Sequence, residues 1–202
     1  TRSMPKLVDH EQRKQIIAEA TWRVILEQGM EGASVRNIAK EAGLSPGALR
    51  HDFSSQEELL RYAMNLVKER VTERIIAISG MDLPPLEKVL RILQEVVPTR
   101  EETRAEAEVW LAFTAYFRHK PGKFDARHDG LYDLMQRLIT TLDQHRLLQA
   151  GLDPEMETVR LHALIDGLTL HALLDPLRVG PDQINRVLEA HLDSITNASK
   201  DQ

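Results

Sequence analysis

Apolar residues recur three and four positions apart along nearly the whole chain, and the strict alternation that marks a strand is almost absent. The pattern predicts an all-α protein of about nine helices. The first runs from about His10 to Gln28, with Ile17, Thr21, Val24 and Ile25 inward, and Gly29 closes it. Ser34 caps a short second helix that carries Val35, Ile38 and Ala39 and breaks at Gly43. Ser45 caps a third, with Pro46 in the first turn, where a missing N–H costs nothing. Ser55-Gln56-Glu57-Glu58 reads as a capping box that opens a long helix to about Ile78, with Leu59, Leu60, Met64, Val67 and Val71 inward.

The break at 80–85 precedes a helix from about Leu86 to Val97, stopped by Pro98. Thr99-Arg100-Glu101-Glu102 reads as a second capping box, for a helix to about His119. Lys120-Pro121-Gly122 is a loop, and a long helix follows from roughly Phe124 to Gln149, ended by Gly151. Asp153-Pro154 caps the next, to about Leu174. Pro176 and Gly180-Pro181 bracket a loop, and the last helix covers about Pro181 to Thr196. The helix after Pro154 is apolar nearly all round: Val159, Leu161, Leu164, Ile165, Leu168, Leu170, Leu173 and Leu174. The last helix carries the stripe Ile184, Val187, Leu188, His191, Leu192 and Ile195. A helix apolar on all sides is buried on both. Leu161, Ile165 and Leu168 with the last stripe therefore suggest a homodimer interface, each pair of helices packing on its core and on its copy. A wholly internal helix in a monomer is the alternative.

The 202 residues are 42% hydrophobic and 28% charged, ordinary for a globular chain of one or two domains. No apolar run is long enough to span a bilayer, and no signal region opens the chain. There are no cysteines, which excludes disulfides and thiolate sites. A cytoplasmic location is expected. Thr1-Arg2-Ser3 before Met4 read as an expression scar, and the sequon Asn197-Ala198-Ser199 as chance. The net charge of −5 argues against nucleic acid until it is divided along the chain. Residues 1–54 hold 8 Lys and Arg against 7 Asp and Glu, and the remainder 18 against 24. A phosphate-binding surface belongs near the N-terminus and must rest on placed contacts rather than a broad field.

The two short helices around Gly43 have the dimensions of a helix-turn-helix. Such a unit reads DNA through the N-terminal residues of its second helix, where free N–H groups also favour phosphate. Gly47 and Ala48 allow close approach there, and Arg50 and His51 lie one turn on. An ordinary helical corner has the same outline. The run Ser34-Val35-Arg36-Asn37-Ile38-Ala39-Lys40-Glu41-Ala42-Gly43-Leu44-Ser45-Pro46-Gly47-Ala48-Leu49-Arg50-His51-Asp52-Phe53, continuing to Leu60, resembles the DNA-binding segment of TetR-type transcriptional repressors. The likeness is dense from Ile16 to Leu60. The Leu49-Arg50-His51 variant and the Met4-Pro5-Lys6 opening resemble the branch that includes choline-responsive regulators.

The resemblance implies a reader domain over 1–54, a connecting helix over 55–78, and a ligand-binding and dimerisation domain over 55–202. It makes Arg36 and Ser45 phosphate contacts and puts Pro46, Gly47, Ala48, Arg50 and His51 at the groove. Ala39, Leu44, Leu49 and Phe53 become the small domain's core. Arg36, Ser45, Pro46, Gly47, Ala48, Arg50 and His51, with Ser34, Asp52 and Gln56, form the expected DNA-facing set. Two positions depart from the family pattern. Asp52 stands where Tyr or His is usual, and Gln56 where Lys is frequent. An exposed acid beside phosphate repels it, which implies weakened anchoring. Alternatively, Asp52 pairs with Arg50 or His51, or accepts from a cytosine amino group.

Other constellations are weaker. Gly43-Leu44-Ser45-Pro46-Gly47 matches the nucleophile elbow of α/β-hydrolases, but that motif needs a strand before the turn. No helical metal-ligand spacing such as H-E-x-x-H occurs among the eight His, so no metal and no cofactor are expected. Trp110, Phe113 and Phe117 share one helix face, which reads either as core or as one wall of an apolar effector pocket. Met64 and Met135 could adapt its shape, and Tyr132, His162 and Asp166 could supply polarity. His162 and Asp166, at i and i+4, also suit a satisfied structural pair. The resulting expectation is a non-enzymatic, ligand-responsive repressor. It binds palindromic double-stranded operator DNA as a homodimer and is released by a small molecule. An all-α metal-binding or enzymatic bundle is the alternative.

Overall fold

The computed structural model describes residues 6–120 and 130–197. Among these residues the chain forms α1 (Lys6–Gln28), α2 (Val35–Ala42), α3 (Pro46–Asp52), α4 (Gln56–Ser79) and α5 (Pro85–Gln94). It continues with α6 (Glu101–Phe117), α7 (Leu131–Gln144), α8 (Pro154–Leu174) and α9 (Pro181–Ile195). One 3-10 turn at Met30–Gly32 precedes α2, and the described residues hold no strand beyond an isolated bridge between Leu148 and Thr196. The chain divides into two compact units. The first comprises Thr1–Arg70 and Glu108–Phe124, the second Val71–Ala107 and Asp125–Gln202. The boundary drawn after residue 54 falls inside the first unit. Ala63 and Leu66 of α4 pack with Ala18 of α1, and Trp22 donates from Nε1 to the Ala63 carbonyl at 2.9 Å.

The helix ends follow from local chemistry. Ser34 Oγ accepts from Asn37 N, and Ser45 Oγ from Ala48 N, each at 3.1 Å. Gly43 closes α2 at φ +70°, where a side chain would be strained. The box at Ser55 forms by half. Ser55 Oγ accepts from Glu58 N at 3.1 Å, but the Glu58 carboxylate takes the N–H of Ser54 instead. At α6 the expected box is replaced. Thr103 Oγ1 accepts from both Thr99 N and Arg100 N, while Glu102 turns to Arg74 and Arg100. The helix expected over 124–149 is shorter. Residues 124–129 lie outside the described ones, as do Thr1-Arg2-Ser3, Met4 and Pro5 of the opening, and Ala198 and Ser199 of the sequon. Past Gln144 the chain turns through Arg146 (φ 57°) so that Leu148 is buried and Gln149 N reaches the Ile195 carbonyl at 2.9 Å.

The second unit is an apolar bundle of α5, α7, α8 and α9. Val89, Leu93, Met135, Ile139, Leu142, Leu161, Ile165, Ile184 and Leu188 are almost fully enclosed. Each such side chain contributes roughly 1.5–3 kcal/mol by leaving water. The same core takes in most of the stripe that was expected at a dimer interface. Leu161, Ile165, Leu168, Ile184, Leu188, Leu192 and Ile195 are buried within their own unit, and Val187 and His191 are half-buried. A stripe at helical spacing marks the face that the chain's own neighbours cover first. Nor is α8 buried all round: Met156, Val159, Leu170 and Leu174 stand 40–71% exposed on its outer side. An ionic cluster completes the unit. Arg74 is held bidentately by Glu106 (2.7 and 2.9 Å) and donates to Glu95 (2.8 Å), which also binds Arg100 (2.6 Å). Burial raises the Glu106 carboxyl, against the pull of Arg74.

Candidate nucleic-acid interface

The first unit is built so that two short helices are fixed with their polar ends outward. Helices as short as α2 and α3 are unstable alone, so their positions come from packing. Ile38 and Ala39 of α2, and Leu49 and Phe53 at α3, are fully buried beside Ile17, Val24 and Ile25 of α1. Phe53 meets the ring of Tyr62 edge-on at 5.3 Å, with Lys14 Nζ over both rings. The Tyr62 hydroxyl donates to Glu11 at 2.7 Å; burial and that carboxylate push its pKa far above the ordinary value.

Outside this core lie the expected contact residues. Arg36, Ser45, Pro46, Gly47, Arg50 and His51 are exposed, and Ser34 and Ala48 partly so. A Cβ at Gly47 would meet no atom closer than the Ser45 hydroxyl at 3.9 Å, so the helix start is open to close approach. Arg36, Lys40 and Arg50 make no ion pair among the described residues. Nearby Glu41 is occupied by Arg23 at 2.8 Å and Glu58 by Ser54. Arg36, Lys40, Arg50 and the start of α3 thus all lie at the surface, with no ion pair to any of the three cations among the described residues. Ser45 Oγ accepts from Ala48 N as the cap of α3, which leaves its O–H to donate outward, and no strand enters the turn, so the hydrolase motif has no structural counterpart.

Asp52 corrects the sequence expectation. Its carboxylate is fully buried rather than exposed. It accepts from Arg13 Nε and Nη2, both at 2.7 Å, and His10 Nδ1 lies 3.0 Å away. The neighbouring His51 is at 3.8 Å, and Arg50 is not among its partners. Burial pushes the Asp52 carboxyl up, but the Arg13 hydrogen bonds and charge, with His10 and His51, outweigh it and hold it ionised below the usual range. Arg13 and His10 were missed by local reading, since they lie 39 and more residues away. One signal was present: an acid in the last turn of a helix, where a cation is favoured, needs a cation from elsewhere. Gln56, the other departure, donates its side-chain amide to the Ala33 carbonyl just before the α2 cap.

The candidate effector residues do not form one group. Met64, Trp110, Phe113 and Phe117 belong to the first unit. Met64, Phe113 and Phe117 are buried there, Trp110 is half-buried, and the two Phe rings lie tilted by 34° with centroids 4.4 Å apart. Tyr132, Met135, His162 and Asp166 belong to the second. Met135 is core, while Tyr132 sits edge-on to His162 at 5.6 Å and His162 Nε2 lies 3.5 Å from Asp166. A cavity of about 560 Å³ in the first unit is lined by Ser55, Gln56, Leu60, Tyr116, Phe117 and Lys120 among others, so Phe117 alone of the eight reaches it. Among the described residues no cluster of three or more His, Asp or Glu could hold a metal, and no helix is long and apolar enough to cross a membrane.

Comparison with known proteins agrees with this geometry. Residues 17–63 match the model of bacterial regulatory proteins of the tetR family, and residues 85–197 the C-terminal domain of BetI-type transcriptional repressors. The chain is 62% identical to the HTH-type transcriptional regulator PksA of Bacillus subtilis, over 95% of this chain and 94% of that one. It is 29% identical to the HTH-type transcriptional regulator BetI of Proteus mirabilis, over 98% and 99%. A transcriptional regulator from Saccharomonospora viridis, solved in complex with choline, superposes with a TM-score of 0.84 at 24% identity, over 93% of this chain and 99% of its own. The chain belongs to the TetR family of bacterial transcriptional regulators.

Proposed function

We propose that this regulator is a homodimeric repressor that reads a two-fold-symmetric operator through α3 and leaves it when a small molecule binds the second unit. The observation that carries the reading is the capped, open start of α3 with unpaired Arg36 and Arg50 on an otherwise balanced surface. Arg36, Ser45 and the α3 start hold phosphate, Gly47 and Ala48 let the backbone close in, and Arg50 and His51 reach base edges. Two copies would meet half-sites about one helical turn, 34–36 Å, apart. The outer side of α8 supports the dimer. Met156, Val159, Leu170 and Leu174 form an exposed apolar line, with Ala163 and open Gly167 at its middle, where a second helix could approach closely. The half-exposed trio Tyr132, His162 and Asp166 is the polar set offered to an effector. An effector releases DNA only by binding the DNA-incompetent arrangement more tightly.

The test is a band-shift series on the duplex upstream of the regulator's own gene and of its neighbours, with protein mass measured by sedimentation. Salt-sensitive binding of a dimer to one symmetric site is expected. Absence of specific binding to every neighbouring promoter would overturn the reading.

A further inference from the structure

Asp52 is an unexpected residue to bury. At the C-terminal end of α3 a negative charge opposes the helix dipole, and removing a carboxylate from water costs more still. Arg13, whose side chain is still 41% exposed, offsets these costs, yet a part-buried ion pair adds little stability beyond what apolar contact would give. What the pair supplies that an apolar contact does not is direction. Arg13 Nε and Nη2 engage the two oxygens separately, at 2.7 Å each, and a fork on a carboxylate fixes rotation as well as distance. The apolar anchors Leu49 and Phe53 fill space but tolerate small rolls of a seven-residue helix. His10 Nδ1, at 3.0 Å, adds a second contact from the same face of α1. The clasp sits directly beside Arg50 and His51, so a roll of α3 about its axis would move both.

We propose that Arg13 and Asp52 are a positioning pair for DNA reading: the clasp sets the roll of α3 on α1, and through it the aim of Arg50 and His51. The proposal rests on α3 being the reading helix. Neither clasp residue contacts DNA in it, which separates it from the idea that Asp52 is an exposed, repelling acid or that Arg13 is one more phosphate contact. The charged and titratable groups facing the carboxylate are Arg13 and His10 of α1 and His51 of α3, and Asp9 of α1 acts on Arg13.

The experiment measures full-length protein on two probes: a duplex selected by the wild-type protein from a random-sequence pool, and a shuffled duplex of the same composition. Arg13→Gln, Asp52→Asn, the double variant and Arg13→Lys are compared over a salt series, with melting temperatures recorded alongside. Each of Arg13→Gln and Asp52→Asn is expected to weaken the selected duplex by about ten-fold or more while leaving the shuffled one nearly unchanged, a loss equivalent to misplacing one base contact. The double variant should be no worse than either single one, since both break the same clasp. Arg13→Lys keeps the charge without the fork and should restore little discrimination. Salt slopes should stay at the wild-type value. A slope lowered by about 0.9 in Arg13→Gln alone would make Arg13 a phosphate contact and overturn the proposal. So would equal losses on both probes, or a lowered melting temperature with discrimination intact. If wild-type protein selects no sequence, the reading helix itself is in doubt; if it selects one and the variants still discriminate, only the clasp is.

Discussion

The start of the first unit and the α8–α9 pair of the second are held together by different means. In the first, α2 and α3 are too short to persist alone, and each is fixed by a serine cap, two or three buried side chains and, at α3, one ion pair to α1. In the second, α8 and α9 run 21 and 15 residues and are fixed by long apolar stripes. A stripe spreads its energy over many contacts and tolerates rotation. A cap and a forked ion pair add little energy but specify direction. The surface that must place side chains in a groove is built from the second kind of contact, and the scaffold from the first.

Breaking the scaffold should cost most. Ile165→Ala removes a fully enclosed side chain from the second core and should lower unfolding free energy by about 2–5 kcal/mol, read as a drop in urea midpoint with unchanged slope. A change on the outer side of the same helix separates scaffold from assembly. Val159, half exposed in the single chain, should accept glutamate with a melting change within about 0.5 kcal/mol of wild type when measured on the monomer, yet sedimentation should show the dimer lost. A dimer that survives Val159→Glu would move the interface off this face. On the reading side, Ser45→Ala takes the cap from α3 and should cost about 1 kcal/mol, visible as faster amide exchange confined to α3. The smallest effect is a pH dependence in the scaffold. Burial first, and Arg160 second, lower the pKa of His191, whose Nε2 is enclosed without a hydrogen-bond partner among the described residues. Below the ordinary imidazole value of about 6.5 the unfolded chain takes up this proton and the folded one resists it. Stability is therefore retained above that pH and lost as pH falls from it toward the lowered value. His191→Leu should flatten the acid limb of the stability curve, and an unchanged limb would show that other groups cause it.

The same contrast explains what could be read from the chain alone. Ser34, Gly43, Ser45 and Pro46 act on atoms within four residues of themselves, so the turn between α2 and α3 was legible to the residue. The stripes of α8 and α9 were legible as stripes, but which side meets the protein's own core and which meets solvent depends on neighbours that a pattern does not name. The capping box at Thr99 failed because Thr103 offered a competing acceptor and Glu102 found Arg74. Asp52 could be seen as unusual, but its partner Arg13 lies a whole helix away, and only folding brings them together. Gln56, which stands where Lys is frequent in the family, serves the Ala33 carbonyl.

The central claim is that α3 reads sequence through Arg50, and comparing Arg50→Ala with wild type on the selected and shuffled duplexes tests it most directly. The account predicts a loss of about 1–3 kcal/mol on the selected duplex with little change on the shuffled one, and relaxed preference at one base position of each half-site. Equal weakening on both duplexes, with a salt slope lowered by about one, would mean that Arg50 holds only phosphate and would contradict the account.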